Sequence, residues 1–207
     1  IPVFHTGFVL PHRPSPLVAQ RNSLILVSAG GGLAGFPILA AALDAQEELW
    51  QEDKIPMRVV AGPFLPENQW QTLLREAFGR PGLELVRAVP DMVDEMHRAA
   101  VSISQCGYNT SMDILRSRVP AVVVPYAEGR EDEQLNRAQR LADLGALRLL
   151  RADQLSGAAL ARSIRDCISF HPSSCKFDLD GAENTADLIR RLIESHHSPS
   201  HSEELAA

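Results

Sequence analysis

Gln105-Cys106-Gly107-Tyr108-Asn109-Thr110-Ser111-Met112-Asp113 is followed by Val119-Pro120-Ala121-Val122-Val123-Val124-Pro125 and then by Glu133-Gln134-Leu135-Asn136-Arg137-Ala138. A turn at Gly107 that opens a helix with small polar residues leaves backbone N–H groups and the positive helix end facing outward, a seat for a phosphate. Asp113 lies four residues beyond Asn109, one turn on and nearly on the same face, where a carboxylate can accept from two neighbouring hydroxyls such as those of a ribose. The run from 119 to 124 is short, β-branched and bounded by prolines. It reads as a buried strand whose carboxyl end delivers Glu133 and Gln134 to the same crevice.

Working outward, Ser23-Leu24-Ile25-Leu26-Val27-Ser28 reads as a buried strand, and Ala29-Gly30-Gly31-Gly32-Leu33-Ala34-Gly35 opens a helix that runs to about Trp50. Glycines between a strand and a helix let backbone approach a ligand or let the helix pack closely on the sheet; the sequence leaves both open for Gly31 and Gly32. The loop lacks the Lys-Ser/Thr of a P-loop. Strands are expected over 57–61, 83–86, 100–104 and 146–150. Helices are expected over Glu67 to about Phe78, over 92–98 behind an Asp91 cap, over 131–143 with Gly145 as its carboxyl cap, over Asp153 to about Ile168, and within 178–194. Leu135, Ala138, Leu141, Ala142 and Leu144 are spaced as a core stripe. Strand and helix alternate in units of about 25–35 residues, which predicts an α/β fold with a doubly wound parallel, Rossmann-like sheet and a ligand at its carboxyl edge.

The three quoted segments resemble the nucleotide-sugar signature of GT-B glycosyltransferases, His-Cys-Gly-Trp-Asn-Ser-Thr-x-Glu, Gly-Val-Pro, Pro and Asp-Gln-x-x-Asn-Ala. They are similar also to the carboxyl-terminal domain of the family 28 enzymes that add GlcNAc to lipid I. Asp113 stands for the family's Glu, Gln105 for a frequent His, Arg118 for the Gly before Val-Pro, Glu133 for Asp, and Arg137 for the final Asn. The resemblance implies the donor-binding, carboxyl-terminal half of a GT-B fold. It implies Gly31, Gly32, Val89, Gly107, Asn109, Thr110, Asp113, Glu133 and Gln134 as nucleotide-sugar-binding residues, with Met92 a further candidate beside Val89 for the base pocket and Arg13 for a phosphate contact. The nucleotide sugar, UDP-linked as is commonest in these families, is then a substrate; no cofactor and no metal are expected. The sugar passes to an acceptor hydroxyl, and the general base usually belongs to the amino-terminal acceptor-binding domain, the expected partner; no catalytic residue is assigned here. A nucleotide-sugar 2-epimerase and a non-catalytic nucleotide-sugar-binding subunit are the alternatives. A Rossmann oxidoreductase is disfavoured, because no acidic residue follows the glycine loop in the expected context.

Residues 1–20, with Pro11, Pro14 and Pro16, are expected to be an interdomain linker strand, residues 21–180 the nucleotide-sugar-binding domain, residues 181–194 a carboxyl-terminal helix, and residues 195–207 a flexible tail. The chain is expected to be part of a longer enzyme. A net charge of −6 over 207 residues, with only small basic places around Arg13, 137–140 and 190–191, speaks against nucleic-acid binding. With 45% hydrophobic residues and no long apolar run, a cytoplasmic globular domain is expected, and membrane association only through the other half. Cys106, Cys167 and Cys175 lack metal-ligand spacing and read as reduced thiols, Cys106 as a buried packing residue. His196, His197 and His201 read as part of the solvated tail.

Overall fold

The computed structural model describes residues 2–10, 21–126, 132–173 and 177–197. Arg13, Glu131, Cys175 and His201 lie outside them, as do the side chains of His196 and His197. The chain forms two compact units, Pro14–Cys175 and a smaller one joining Ile1–Arg13 to Lys176–Ala207.

In the larger unit, β1 (Ile25–Ser28), β2 (Met57–Val60), β3 (Leu83–Val86), β4 (Val101–Ser104), β5 (Ala121–Val123) and β6 (Arg148–Leu149) form one sheet in the order β3-β2-β1-β4-β5-β6. Every pairing is parallel, with Ile25 opposite Met57 on one side and opposite Val101 on the other. Parallel strands need crossovers, and these are the helices α1 (Phe36–Asp53), α2 (Glu67–Ala77), α3 (Met92–Arg98), α4 (Tyr108–Ser117) and α5 (Glu133–Asp143), with α6 (Gly157–Ile168) after β6. α1 packs against α6 and α2, and α3 against α4. This is the doubly wound α/β arrangement expected from the sequence. Central strands covered on both faces must be apolar on both, and β1 is buried at all four positions. Ile25, Val27, Val59, Ile103 and Val122 meet Leu39, Leu43, Leu160 and Ile164 in one core. Each such side chain contributes roughly 1.5–3 kcal/mol by burial.

Local chemistry sets the element ends. The Asp91 carboxylate accepts from the Val93 and Asp94 N–H groups at 2.9 and 3.2 Å, capping α3. α5 closes at Gly145, φ 70°, with Gly145 N–H donating to Ala142 O (2.8 Å) and Ala146 N–H to Leu141 O (2.9 Å). That is the two-bond carboxyl cap a left-handed glycine permits. Two expectations need correction. Leu144 is not core: it is the last residue before the Gly145 turn and is 49% exposed, leaving Ala138 and Leu141 as the buried residues of α5. The helix expected from Asp153 begins only at Gly157. Residues Ala152–Gln154 make a 3-10 turn, and Ser156 is the cap, its Oγ accepting from Ala159 N–H at 3.2 Å.

In the smaller unit, α7 (Gly181–His197) follows an antiparallel bridge between Val9 and Asp180. Phe8 N–H donates to Asp178 O (2.8 Å), Gly181 N–H to Phe8 O (3.0 Å), and Asn184 Nδ2 to Thr6 O (3.0 Å). Among the described residues no helix is long and apolar enough to cross a membrane.

Candidate functional site

The strand order reverses between β1 and β4, so the loops leaving their carboxyl ends depart in opposite directions and open a crevice, the usual ligand position in such sheets. Residues 29–35 leave β1 and residues 105–107 leave β4. Gln105 Nε2 donates to Ala34 O at 2.9 Å and ties the two together. Beyond Gln105, Gly107 is the amino-terminal cap residue of α4 (φ −62°, ψ 158°), and the first intrahelical bond runs from Ser111 N–H to Gly107 O at 2.9 Å. The N–H groups of Tyr108, Asn109 and Thr110 therefore precede the first intrahelical bond, and no side chain caps the helix. Asn109 is exposed, Thr110 half-buried, and Asp113 half-buried one turn further on.

The glycines divide by environment. A Cβ built on Gly107 meets nothing within 4 Å, and its φ suits any residue. The fold itself does not require glycine there, whereas a ligand approaching the turn would. Gly32 is the opposite case: at φ 94°, its Cβ would lie 2.6 Å from Ala61 O and 2.9 Å from Leu65 N. It lies against the turn after β2, where a Cβ on Gly62 would in turn lie 2.6 Å from Gly32 N. Gly32 N–H is bonded to Ala29 O (2.9 Å), and Gly31 O accepts from Phe64 N–H (2.8 Å). Close packing of two loops thus accounts for Gly32. At Gly31 a Cβ would meet only the Phe64 ring, at 3.2 Å. Val89 and Met92 are half-buried beside the turn after β3, which is held when Gly62 N–H donates to Arg87 O at 2.9 Å.

On the other side of the crevice, Gln134 Oε1 accepts from Cys106 N–H (3.1 Å) and Tyr126 N–H (3.2 Å), clamping the ends of β4 and β5. Its carbonyl end is therefore occupied by the protein, and Nε2 is the atom with which it can face a ligand. Glu133 is paired with Arg137 on its own helix. Arg137 also donates from Nη1 to Cys106 O (2.9 Å) and lies 5.8 Å from the Tyr108 ring centroid, placing a cation at the amino end of α4. Cys106 is buried, with Sγ 3.3 Å from Ser111 Oγ, and burial pushes its thiol pKa up against the opposing effects of that hydrogen bond and of Arg137. That is packing chemistry, not a nucleophile's. A cavity of about 560 Å³ adjoins the crevice, lined by Leu33, Phe36, Gln105, Val124, Tyr126 and Leu155 among others. None of the nine predicted binding residues lines it, whereas the hydrogen-bonded pair Gln105 and Ala34 does. No group of three His, Cys, Asp or Glu side chains suited to a metal occurs among the described residues.

Sequence reasoning named Gln105 as a departure from a signature, and Arg137 as another and as part of a small basic place, and missed the work they do. Their placement at a strand end and four residues beyond Glu133 was the available signal.

With this geometry, comparison with known families is decisive. Residues 25–191 match the model of the glycosyltransferase family 28 C-terminal domain. The chain belongs to that family. The family 28 domain is 26% identical over 199 residues to the UDP-N-acetylglucosamine–N-acetylmuramyl-(pentapeptide) pyrophosphoryl-undecaprenol N-acetylglucosamine transferase of Pseudomonas paraeruginosa, covering 94% of this chain and 53% of that protein. It is 25% identical over 165 residues to the enzyme of the same name from Leuconostoc mesenteroides, covering 80% and 44%. The chain thus spans about half the length of the curated relatives it matches. Among solved structures, Acinetobacter baumannii MurG has a TM-score of 0.64 at 20% identity, covering 84% of this chain and 51% of that one. A putative UDP-N-acetylglucosamine 2-epimerase from Listeria monocytogenes has a TM-score of 0.60 at 13% identity, covering 89% and 48%. Both likenesses show the fold of the family 28 domain.

Proposed function

We propose that this chain is the donor-binding half of a glycosyltransferase that moves a sugar from a nucleoside diphosphate, UDP in our reading, to an acceptor hydroxyl. The observation that carries the proposal is the amino end of α4. Three helix-start N–H groups, a glycine whose Cβ position is open, and Asp113 one turn on lie at the switch point of a family 28 domain. The diphosphate sits on the amides of 108–110, beside Asn109 and Thr110, and is met by the helix end. Asp113 accepts from the ribose hydroxyls, the Val89 turn adjoins the base, Gly31 borders the diphosphate, and Gln134 reaches the sugar through Nε2. In the transfer, the acceptor oxygen bonds to the anomeric carbon as the bond from that carbon to the diphosphate breaks. The proton goes to a base on an acceptor-binding domain, in the same polypeptide or a partner, and the departing charge is stabilised by preorganised donors. We place this chemistry in the cytoplasm.

The test is a thermal-shift panel of UDP, TDP, GDP and their sugars, since a ligand at 100 times its Kd stabilises by about 2.7 kcal/mol. A shift with UDP compounds supports the proposal, and the absence of any nucleotide shift contradicts it. A 2-epimerase, whose fold the Listeria monocytogenes structure shares, would convert the nucleotide sugar with no acceptor present. A transferase releases the nucleotide only with acceptor and the second domain.

A further inference from the structure

At the opposite, amino-terminal edge of the sheet lies a second cavity, of about 510 Å³, whose lining includes Arg21, Asn22, Ser23, Arg118, Phe170 and His171. The fold gathers basic residues along this edge. Lys54, Arg80, Arg98 and Arg118 each stand just ahead of one of the strands β2 to β5, Arg21 stands ahead of β1, and Arg148 opens β6. A chain with a net charge of −6 thus places a cation before or at the start of every strand, a pattern dispersed in sequence and assembled only by the parallel topology. Helix ends account for part of it: Lys54 and Arg118 are the carboxyl-terminal caps of α1 and α4, and Arg98 ends α3, where cations complement the dipole.

Helix ends do not account for the cavity. The Arg118 carbonyl at the end of α4 accepts from Arg21 Nη2 at 2.6 Å, and both arginines line the cavity. Arg58, Arg87, Arg137, Arg151, Arg165 and Arg190 are all ion-paired, but neither Arg21 nor Arg118 pairs with a carboxylate among the described residues, and no described Asp or Glu lines the cavity. Arg21 is exposed, yet desolvation by its neighbours lowers its pKa, a cost an anionic partner would offset. Asn22, Ser23 and His171 add polar groups to the lining, and Phe170 and Pro172 give it an apolar part, with the Arg148 guanidinium 4.7 Å from the Phe170 ring centroid. Two arginines and polar side chains beside apolar surface from Phe170 and Pro172, in a volume within the range of small-molecule sites, match one ligand chemistry.

We propose that this edge cavity binds a phosphomonoester bearing an aromatic or apolar group, with Arg21 and Arg118 on the phosphate and Phe170 with Pro172 against the apolar part. The site is separate from the donor crevice and independent of the proposed transfer. His97 reports on it. Its imidazole pKa is lowered by burial and by Arg21 and Arg116, with Asp94 and Asp91 pulling the other way. A dianion on Arg21 therefore moves the His97 titration upward.

The experiment titrates the 207-residue chain with phenyl phosphate, inorganic phosphate and phenol, following the histidine ring protons by NMR, and measures binding to phosphatidylcholine vesicles with and without phosphatidic acid. Saturable binding of phenyl phosphate, tighter than that of inorganic phosphate and accompanied by a raised His97 pKa, is expected. Arg21→Gln and Arg118→Asn should each weaken it about 10-fold or more. Asn tolerates the left-handed backbone at 118 (φ 51°), so that variant keeps the fold. Arg140→Gln, on exposed α5 surface, should leave binding unchanged. Binding only to phosphatidic acid vesicles, lost in Arg118→Asn, would assign the same site to a lipid headgroup. No saturable response to either probe, or equal weakening by Arg140→Gln, overturns the proposal.

Discussion

Gly32→Ala and Gly107→Ala add the same methyl group at the ends of adjacent strands, and the structure predicts opposite outcomes. At Gly32 the backbone sits at φ 94°, and the new Cβ would fall 2.6 Å from Ala61 O, a backbone atom that moves only with β2. Strain of a non-glycine residue in that region costs about 1–3 kcal/mol, and displacement of packed backbone a further 1–3 kcal/mol or so. A loss of roughly 2–6 kcal/mol follows, a large share of the ~5–15 kcal/mol that holds a domain together, or a fall in Tm on the order of 5–20 °C. At Gly107 the φ of −62° is ordinary and no atom lies within 4 Å. Reduced freedom in the unfolded chain stabilises by about 0.4–1 kcal/mol, and replacing glycine by alanine at a helix cap costs a similar amount, so Tm should move by only about 3 °C or less. The methyl group would instead occupy open space at the turn where the proposed ligand approaches, and should weaken UDP binding at least about 10-fold, or about 1.4 kcal/mol. Melting curves and isothermal titration with UDP on both variants read the two quantities separately. Gly107→Ala that binds UDP like the parent protein removes the reason given for that glycine, and Gly32→Ala that melts unchanged removes the packing account of the loop.

Asp113→Ala should raise the UDP Kd by roughly 10- to 100-fold, as expected for loss of hydrogen bonds to a charged group, with Asp113→Asn nearly as weak and Asp113→Glu retaining most binding. A drop in Tm with affinity intact would make it a structural carboxylate. Arg137→Met leaves Cys106 O and Glu133 without the guanidinium and should lower stability by about 1–3 kcal/mol while weakening UDP binding; if the urea midpoint and the affinity both hold, the clamp on the α4 turn is not what fixes it. Burial pushes the Cys167 thiol from 9.0 up to about 12, so the folded form keeps a proton that the unfolded form surrenders. Its contribution is complete below pH 9 and is lost as pH rises from there towards 12; urea midpoints should fall more steeply over that window in the parent than in Cys167→Val, and parallel slopes would refute this.

Local signals made the fold legible. Asp91 ahead of an apolar turn, Gly145 after the α5 stripe and the apolar run of β1 each carry their structural meaning within a few residues. The helix expected at Asp153 failed because two competing caps lie close together and Leu155 is held extended before Ser156, which the local pattern does not decide. Candidate site residues could be named from the sequence, but not their arrangement. Gln134 shares its oxygen between two strand ends, Arg137 reaches back to Cys106, and Gly32 answers to Gly62 across the loop after β2. Apart from the Gln134–Tyr126 bond, 8 positions apart, these are contacts between residues about 30 positions apart, and no periodicity or cap encodes them. The amino-edge cations were invisible for the same reason, since each is a single residue until the sheet lines them up.

The most direct test of the account is where UDP binds. Backbone amide NMR of the isotopically labelled chain, titrated with UDP, should show saturable shifts concentrated at 105–113, with smaller ones at 29–35, 87–92 and Gln134, and none at the amino edge around Arg21 and Arg118. Binding that leaves 107–113 unmoved, or no binding at all, would contradict a donor site at the start of α4.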